Sequence, residues 1–418
     1  MSNPNPRPPQ GFRTKAIHGV RFKKDVHGAL RMPVYDSVSF EQESAKDLQL
    51  AFEGKKPGHT YSRISNPTVE DLEQKMRLLS GGIACLATAS GMAAISNVVM
   101  TLCEAGTNLV TSKHLFGNTV SLFEHSLKPW GLEVRYADMT KPEEVAAQID
   151  GKTRLVFCEI ITNPQLEVAD VKALAAATKA KGVPLVLDGT MTTPYAFPSK
   201  QFGVDVEILS STKYISGGAT SVGGLIIDNG NFDWKNSPKL AEKAKKIGPM
   251  ALIATLRMEV FRNLGACLSP HNAFLQALGL ETLDLRINAS FANCLALAQH
   301  LSQHPKVNKV NYPGLSDNPY HAVALQQFGG KGFGGLLTFE LADREACFAL
   351  VDRLQLVKRC TNINDNKTMI IHPGSTIFCE YSPEKKAEMG VNDNSLRLSV
   401  GIEDLIDLQA DLDQALEG

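Results

Sequence analysis

The sequence lacks the features that mark membrane proteins and nucleic-acid-binding proteins. It contains no run of about 18 uninterrupted apolar residues, so no membrane span is expected. The N-terminal stretch MSNPNPRPPQGF has no apolar segment that could serve as a signal peptide. Lysine and arginine total 43, and aspartate and glutamate total 44. No basic excess therefore favours nucleic acid or an anionic membrane as a partner.

The cysteines also lack the spacing of a cross-linked or metal-binding protein. The eight cysteines are scattered at positions 85, 103, 158, 267, 294, 347, 360 and 379, and no two form a C-x-x-C pair. Most lie within apolar segments, as buried free thiols do in a reducing cytosol. We therefore expect a cytoplasmic protein without structural disulfides and without a metal site.

A G-x-G-x-x-G sequence that opens a helix after the first strand is missing as well, which argues against dinucleotide binding. What the sequence does contain is an ordinary globular composition. The chain has 418 residues, of which 43% are hydrophobic. This length allows two or three domains with ample apolar surface for a core.

The order of apolar and polar segments predicts an α/β fold. From about residue 68, amphipathic helices such as 171–181 alternate with short apolar strands, and long helices are predicted at 251–261 and 274–285. These strands are predicted at 109–111, 134–136, 155–159, 184–187, 206–209 and 224–227. Continuous apolar strands separated by helices indicate a mainly parallel sheet covered by helices on both faces.

Both ends of the chain differ from this pattern. Residues 1–62 are rich in proline and polar residues and cannot form a core alone, so we expect them to lie against another domain or subunit. After about residue 305 the pattern becomes α+β, with strands predicted at 307–312, 335–339 and 396–400. We therefore expect an N-terminal segment at 1–62, a large domain at 63–262 and a smaller C-terminal domain at 263–418.

Polar side chains follow three of the predicted strands. Asn163 comes shortly after 155–159, Asp188 directly after 184–187, and Lys213 shortly after 206–209. Ligands of open α/β sheets bind at the carboxyl ends of the strands. If these strands are neighbours, an amide, a carboxylate and an amine converge at one edge.

Two further stretches are suited to bind a phosphate. The small-residue turn before helix 93–102 contains Gly91 and Met92, and such a turn presents free N–H groups at a positive helix end. Tyr61 and Arg63 offer a phenol and a guanidinium, and arginine binds phosphate with two parallel hydrogen bonds. Ser210 and Thr212 could add hydroxyl donors.

This set of groups is typical of a pyridoxal 5'-phosphate (PLP) site. Such a site needs an amine for the Schiff base, an acidic partner for the pyridinium nitrogen and a phosphate cup. Lys213 and Asp188 fit the first two roles. Taken singly, Lys213 could be a solvated surface lysine, Asp188 a helix cap, Arg63 a surface ion-pair residue, and Arg397 one half of a structural ion pair.

At these positions the chain resembles the Cys/Met-metabolism branch of the fold-type I PLP-dependent enzymes. This branch includes cystathionine synthases and lyases, methionine γ-lyase and O-acetylhomoserine sulfhydrylase. The resemblance runs from about residue 13 to the end, and the joint order of its pieces is specific. The pieces are YSRISNPT at 61–68, ASGMAA at 89–94, Asn163-Pro164, the Asp188 turn, SSTKYISG at 210–217, LGACLSP at 264–270 and LRLSVGIE at 396–403.

The resemblance assigns a role to each candidate residue. It implies that Lys213 forms the Schiff base, that Asp188 pairs with the pyridinium nitrogen and that Arg397 clamps the substrate carboxylate. The remaining positions implied are Gly91, Met92, Ser210 and Thr212 at the phosphate, Tyr61 and Arg63 at the phosphate of the neighbouring subunit, Phe116 on the cofactor ring, and Asn163 and Asn362 at the substrate. A homo-oligomer, a dimer of dimers, follows from the shared site.

One position departs from the family pattern and bears on the reaction. The family commonly has a tyrosine stacked on the PLP ring, whereas the stretch 115–119 reads LFGNT and places Phe116 there. Phenylalanine can stack but cannot transfer a proton, which disfavours a lyase. Together with the stretch 365–376, this implies γ-replacement of acetate on O-acetyl-L-homoserine by sulfide or a thiol donor, which yields L-homocysteine.

Three alternatives remain at this point. A methionine γ-lyase or cystathionine γ-lyase would release a keto acid instead. A cystathionine γ-synthase would use cysteine in place of sulfide. A non-enzymatic module with this fold would carry no cofactor and would therefore be colourless.

Overall fold

The structure is a computed structural model, and it describes residues 11–20 and 27–418. The chain forms two compact units: Met1–Leu102 with Asp205–Asp284, and Cys103–Val204 with Leu285–Gly418. The predicted N-terminal segment 1–62 falls in the first unit, and its residues 1–10 and 21–26 lie outside the described part. No described helix is both long enough and apolar enough to cross a membrane.

The strands are short, as predicted, and we number them in chain order. They are β1 (Ala84–Thr88), β2 (Asn108–Thr111), β3 (Glu133–Tyr136), β4 (Thr153–Glu159), β5 (Leu185–Asp188), β6 (Val206–Leu209), β7 (Gly224–Asp228), β8 (Lys309–Asn311), β9 (Leu336–Glu340), β10 (Lys358–Arg359), β11 (Met369–Ile371) and β12 (Ser395–Ser399).

The α-helices are numbered in the same way. They are α1 (Phe12–His18), α2 (Ala45–Phe52), α3 (Pro67–Ser80), α4 (Gly91–Leu102), α5 (Gly117–Ser121), α6 (Pro142–Gln148), α7 (Val171–Ala180), α8 (Thr193–Ala196), α9 (Ala241–Ile247), α10 (Ala251–Thr255), α11 (Arg262–Leu264), α12 (Pro270–Leu280), α13 (Leu283–Leu301), α14 (His321–Phe328), α15 (Arg344–Arg353), α16 (Pro383–Glu388) and α17 (Leu405–Glu417). The π-helices Leu122–Leu127 and Leu256–Phe261 continue α5 and α10, respectively.

The first unit contains three strands in the order β1–β7–β6, and both pairings are antiparallel. Helix α3 is well delimited by its sequence. Asn66 caps its start by accepting a hydrogen bond from the Thr68 N–H, Pro67 occupies the first turn, and Gly81 ends it with a φ of 74°. The side chains of Leu72 and Leu86 are fully buried and contribute to the core of this unit.

The second unit contains four parallel strands in the order β5–β4–β2–β3 and a separate smaller sheet in the order β10–β11–β12–β9–β8. A buried cluster that includes Val156, Leu174 and Leu187 packs against the parallel strands. A second cluster, with Leu337, Leu398 and Leu412, belongs to the smaller sheet. The predicted α/β class, with a mainly parallel sheet and a smaller α+β part, is confirmed.

Three predictions of local structure differ from the observed elements. Strand β1 was not predicted, and β7 runs antiparallel although 224–227 was expected to be part of a parallel sheet. The helix expected at 251–261 changes to π geometry at Leu256. The helix expected at 274–285 is two helices, because α12 ends at Leu280 and α13 begins at Leu283. Apolar periodicity alone does not distinguish these cases.

Candidate active site

The turn between β1 and α4 in the first unit has the properties of a phosphate site. The Ser90 hydroxyl accepts a hydrogen bond from the Ala93 N–H at 3.0 Å and caps the helix. Within the described residues, the N–H groups of Gly91 and Met92 donate to no acceptor. Two free N–H groups at the positive end of a 12-residue helix attract an anion.

Gly91 lies against the residue that follows β6. A methyl group placed on Gly91 would lie 2.8 Å from the Ser210 Cβ and 3.1 Å from its Cα. Any larger residue would therefore push the two segments apart. The structure thus brings together two of the predicted phosphate-binding positions, and it does so through a close backbone approach that only glycine permits.

Lys213 follows β6 in a tightly braced turn. Its N–H donates to the Ser210 carbonyl at 3.2 Å, and the Ser216 hydroxyl donates to the carbonyls of Thr212 at 2.8 Å and Lys213 at 3.1 Å. The predicted phosphate ligand Thr212 is engaged elsewhere, because its hydroxyl donates to the Gly223 carbonyl and accepts from the Gly223 N–H. The Thr212 hydroxyl could donate a hydrogen bond to a phosphate only if its bond to the Gly223 carbonyl broke.

Tyr61 and Arg63 both lie at the surface of the first unit. The Arg63 guanidinium stands 5.2 Å from the centre of the Tyr61 ring, and it donates to the Arg262 carbonyl at 2.6 Å. Tyr61 is 38% exposed. Both side chains are therefore accessible to a ligand or to a second molecule.

In the second unit, two carboxyl groups stand side by side at the ends of neighbouring strands. Glu159 of β4 is in register with Asp188 of β5. Burial raises the pKa of Asp188, while hydrogen bonds from Thr190 oppose this rise. No Lys, Arg or His within the described residues forms an ion pair with Asp188. A cation supplied by a ligand, such as a pyridinium, would therefore favour the ionised form of Asp188.

Glu159 was not singled out from the sequence, yet it contacts two segments that carry predicted site residues. Its carboxylate accepts from the Phe116 N–H at 2.7 Å and from the Asn163 N–H at 3.2 Å. Burial and the adjacent Asp188 raise the pKa of Glu159 to about 8. The only available signal was a glutamate at the end of an otherwise apolar strand, where a charge is costly unless it is bonded.

Arg397 lies on β12 and is only 2% exposed. It donates to the Asn163 side-chain oxygen at 3.1 Å and to the Asn362 carbonyl at 3.2 Å. Its Nε has no partner, and no carboxylate among the described residues pairs with it. Burial lowers the pKa of this guanidinium to about 10. A buried cation whose partners are all neutral is suited to receive an anionic ligand.

The structure thus assembles the predicted residues within each unit. Asn163, Asn362 and Arg397 meet in the second unit, although Asn362 contacts Arg397 through its backbone carbonyl. Its side chain donates to Asp365 at 3.2 Å. Asn364, which was not predicted, lies close by with a φ of 57° and donates to the Thr190 carbonyl. No cluster of His, Cys, Asp or Glu that could hold a metal occurs at 11–20 or 27–418.

A protein-family model described as Cys/Met metabolism PLP-dependent enzyme matches residues 13–417. The chain belongs to this family.

Individual members of the family are similar over most of the chain. O-acetyl-L-homoserine sulfhydrylase 1 from Thermus thermophilus is 38% identical over 97% of this chain and 99% of the relative. The structure of an O-acetylhomoserine sulfhydrylase from Wolinella succinogenes is 50% identical, covers 84% of this chain and 97% of its own, and has a TM-score of 0.77. A structure from Campylobacter jejuni assigned as an O-acetylhomoserine (thiol)-lyase has a TM-score of 0.91 at 32% identity and covers 98% of this chain and 100% of its own.

The Campylobacter jejuni protein carries its cofactor as a pyridoxyl-lysine monophosphate. The residues of this chain fit the same cofactor. In the first unit, the free N–H groups of Gly91 and Met92 are suited to a phosphate. In the second unit, Asp188 has no cationic partner at 11–20 or 27–418 and is suited to a pyridinium nitrogen. As in the family, the cofactor of this chain is PLP.

Proposed function

We propose that this chain is an O-acetylhomoserine sulfhydrylase. It converts O-acetyl-L-homoserine and sulfide into L-homocysteine and acetate by PLP-dependent γ-replacement. The observation that carries this function is Arg397, a guanidinium that is 2% exposed and, in the part of the chain that the structure describes, hydrogen-bonded only to neutral groups. An amino-acid carboxylate would complete its coordination, so the substrate is an amino acid bound in one fixed orientation.

The remaining roles follow from the chemistry of the residues. PLP, when bound, supplies an electron sink that stabilises negative charge at the substrate Cα. Lys213 is the proposed attachment point of the cofactor, and its amine then moves protons at the substrate Cα and Cβ. Asp188 would hold the pyridinium, and the N–H groups of Gly91 and Met92, with the Ser210 hydroxyl, would hold the phosphate.

Thr212 and Phe116 complete this assignment in different ways. Thr212 would join the phosphate site only after leaving Gly223. Phe116 lies at the start of α5 and is proposed to cover the cofactor ring. Its side chain has no proton to give to a leaving group, and acetate, a weak base, leaves without strong acid assistance. This residue therefore favours γ-replacement of an ester over elimination of a thiolate.

Assembly and location are further parts of the proposal. Tyr61 and Arg63 are exposed and are proposed to reach the phosphate of a second copy, so that a homodimer, within a dimer of dimers, is the active form. All eight cysteines are free thiols, and six of them are largely or partly buried, which supports a reducing, cytoplasmic setting.

The test is to incubate the purified protein with O-acetylhomoserine, with and without sulfide, and to quantify homocysteine and 2-oxobutanoate. A sulfhydrylase forms homocysteine only with sulfide and little keto acid without it. Abundant 2-oxobutanoate in both samples would instead identify a γ-lyase. The test is repeated with cysteine as the donor, since cystathionine would identify a γ-synthase.

A further inference from the structure

A partly buried ion pair in the first unit connects the segment of Tyr61 and Arg63 to the rest of that unit. Arg257 donates to the Glu73 carboxylate at 2.6 Å with one nitrogen and to the Ile64 carbonyl at 3.0 Å with another. The second Glu73 oxygen accepts from the Ala87 N–H at 2.9 Å. One network thus joins α3, β1 and the residue that directly follows Arg63.

Glu73 depends on this network for its charge. It is 6% exposed, and burial raises its pKa, whereas Arg257 and the Ala87 N–H lower it. Removal of one partner from a buried ion pair leaves the other charge without compensation, which is strongly unfavourable. Glu73 and Arg257 therefore keep each other in place, and the fork of Arg257 fixes Ile64 in a defined direction.

Arg257 occupies an unusual backbone position. It lies in the π-helix Leu256–Phe261, a wide helical turn of a kind that is often found at functional sites. The Arg262 carbonyl, directly after this π-helix, accepts from Arg63 at 2.6 Å. The Tyr61–Arg63 segment is thus held at two points by the same stretch of chain, once through Ile64 and once through Arg63 itself.

We propose that Arg257, oriented by Glu73, is a positioning residue for the cofactor site of a second copy of this chain. It holds the Tyr61–Arg63 segment in the conformation in which the phenol and the guanidinium reach the partner's cofactor phosphate. The inference rests on the proposed function, because it requires a PLP phosphate in the site and a symmetric dimer. The Arg257 side chain donates to Ile64 and Glu73, so the pair would act on the cofactor site through the Tyr61–Arg63 segment.

The first experiment measures cofactor affinity directly. PLP is titrated into the cofactor-free protein, and binding is followed by absorbance. Arg257→Met should weaken the affinity about tenfold, through the lost orientation of Arg63, and Glu73→Gln should act in the same direction. Arg257→Lys keeps the charge next to Glu73 but cannot hold Ile64 as well, so it should weaken the affinity while the fold is retained.

Arg77→Met is the matched control. Arg77 lies exposed on α3, and its side chain donates a hydrogen bond to the Gln74 side-chain oxygen at 2.9 Å. The control variant should bind PLP as the wild type does. At saturating PLP, Arg257→Lys should also keep the wild-type KM for O-acetylhomoserine, since the substrate clamp around Arg397 is untouched.

The second experiment separates positioning in a partner from a local structural role. Arg257→Lys subunits are combined with Lys213→Ala subunits. Alone, the first variant should bind PLP weakly, and the second lacks the lysine proposed to carry the cofactor. In a mixed dimer, one site combines the intact Lys213 of the first subunit with the intact Tyr61 and Arg63 of the second. Random pairing makes about half of the dimers mixed, so about a quarter of all sites should regain wild-type PLP affinity and turnover. Arg63→Ala combined with Lys213→Ala gives the reference rescue.

The outcomes distinguish a failure of the role proposed for Arg257 from a failure of the proposed shared cofactor site. If Arg63→Ala is rescued and Arg257→Lys is not, Arg257 acts within its own subunit and the inference is wrong. Wild-type PLP affinity in Arg257→Lys and Arg257→Met would overturn it as well. If Arg63→Ala itself binds PLP normally or is not rescued, the proposed shared site fails, irrespective of Arg257.

Discussion

The phosphate turn of the first unit and the carboxylate clamp of the second unit offer an anion very different groups. The turn uses uncharged backbone N–H groups of Gly91 and Met92 at a helix end, packed closely on Ser210. The clamp uses the buried charge of Arg397, surrounded by neutral acceptors. The first depends on backbone shape and the second on desolvation, so the two should respond differently to substitution.

The clamp should show the largest effect, because its charge has no replacement. Arg397→Met removes the proposed partner of the substrate carboxylate and leaves the Asn163 side-chain oxygen without this donor. Truncation of a buried hydrogen-bonded charge costs about 2–5 kcal/mol, which corresponds to a loss of roughly 30-fold to several thousand-fold in kcat/KM. Steady-state kinetics with O-acetylhomoserine measure this loss.

Arg397→Lys is the matched variant for the clamp. It keeps the charge but cannot hold Asn163 and the substrate together, so its loss should be intermediate. PLP affinity should stay near the wild-type value in both variants. A lower PLP affinity together with an unchanged KM for O-acetylhomoserine would contradict the assignment of Arg397 to the substrate.

Substitution in the phosphate turn should have a smaller effect, and it should change the PLP affinity and not the KM for O-acetylhomoserine. Gly91→Ala places a methyl group 2.8 Å from the Ser210 Cβ, and such overpacking costs about 1–3 kcal/mol. We expect weaker PLP binding in an absorbance titration and little change in the KM for O-acetylhomoserine at saturating PLP. Gly151→Ala is the control, because no atom lies within 4 Å of its new methyl group. Equal PLP affinity in the two variants would refute the close approach.

The buried Glu159 of the second unit should make the stability of the protein depend on pH. Its pKa is raised to about 8 by burial and by Asp188, so its contribution to stability is full below its ordinary pKa and is lost as the pH rises through about 8. The unfolding temperature of the cofactor-free protein should therefore fall between about pH 5 and pH 9. Glu159→Gln should flatten this fall, whereas the exposed Glu345→Gln should not. A pH profile identical to that of the wild type would contradict the raised pKa.

The smallest expected change is at Phe116. Phe116→Tyr adds a hydroxyl that can protonate a thiolate leaving group, so 2-oxobutanoate formation from L-methionine in the absence of sulfide should rise several-fold while the fold is unaffected. Product analysis measures the ratio of 2-oxobutanoate formed to substrate consumed. An unchanged ratio would remove the argument that Phe116 disfavours elimination.

The features that could be predicted from the sequence depend on local patterns of apolar and small residues. Strands β4, β5 and β6 follow from apolar runs, and the turn at Gly91 follows from a run of small residues before a helix. The sequence also placed Lys213, Asp188 and Asn163 directly after these strands. The resemblance to PLP-dependent enzymes of Cys/Met metabolism, first drawn from these motifs, is confirmed by the family match.

The parts that could not be predicted depend on contacts between distant residues. Glu159 joins two segments by accepting from their backbone N–H groups, and Arg257 reaches Glu73 across 184 positions of sequence. The antiparallel direction of β7 is set by its partners and not by its composition. The division into 1–62, 63–262 and 263–418 and the roles of the individual site residues stay predictions.

The lysine that carries the cofactor can be identified by chemical labelling. The protein is incubated with PLP, reduced with borohydride, digested and analysed by mass spectrometry. We expect a pyridoxyl group on the peptide that contains Lys213, and we expect this group and the yellow colour to be lost in Lys213→Ala. A pyridoxyl group on another lysine, or a Lys213→Ala protein that still becomes labelled and turns over substrate, would contradict it.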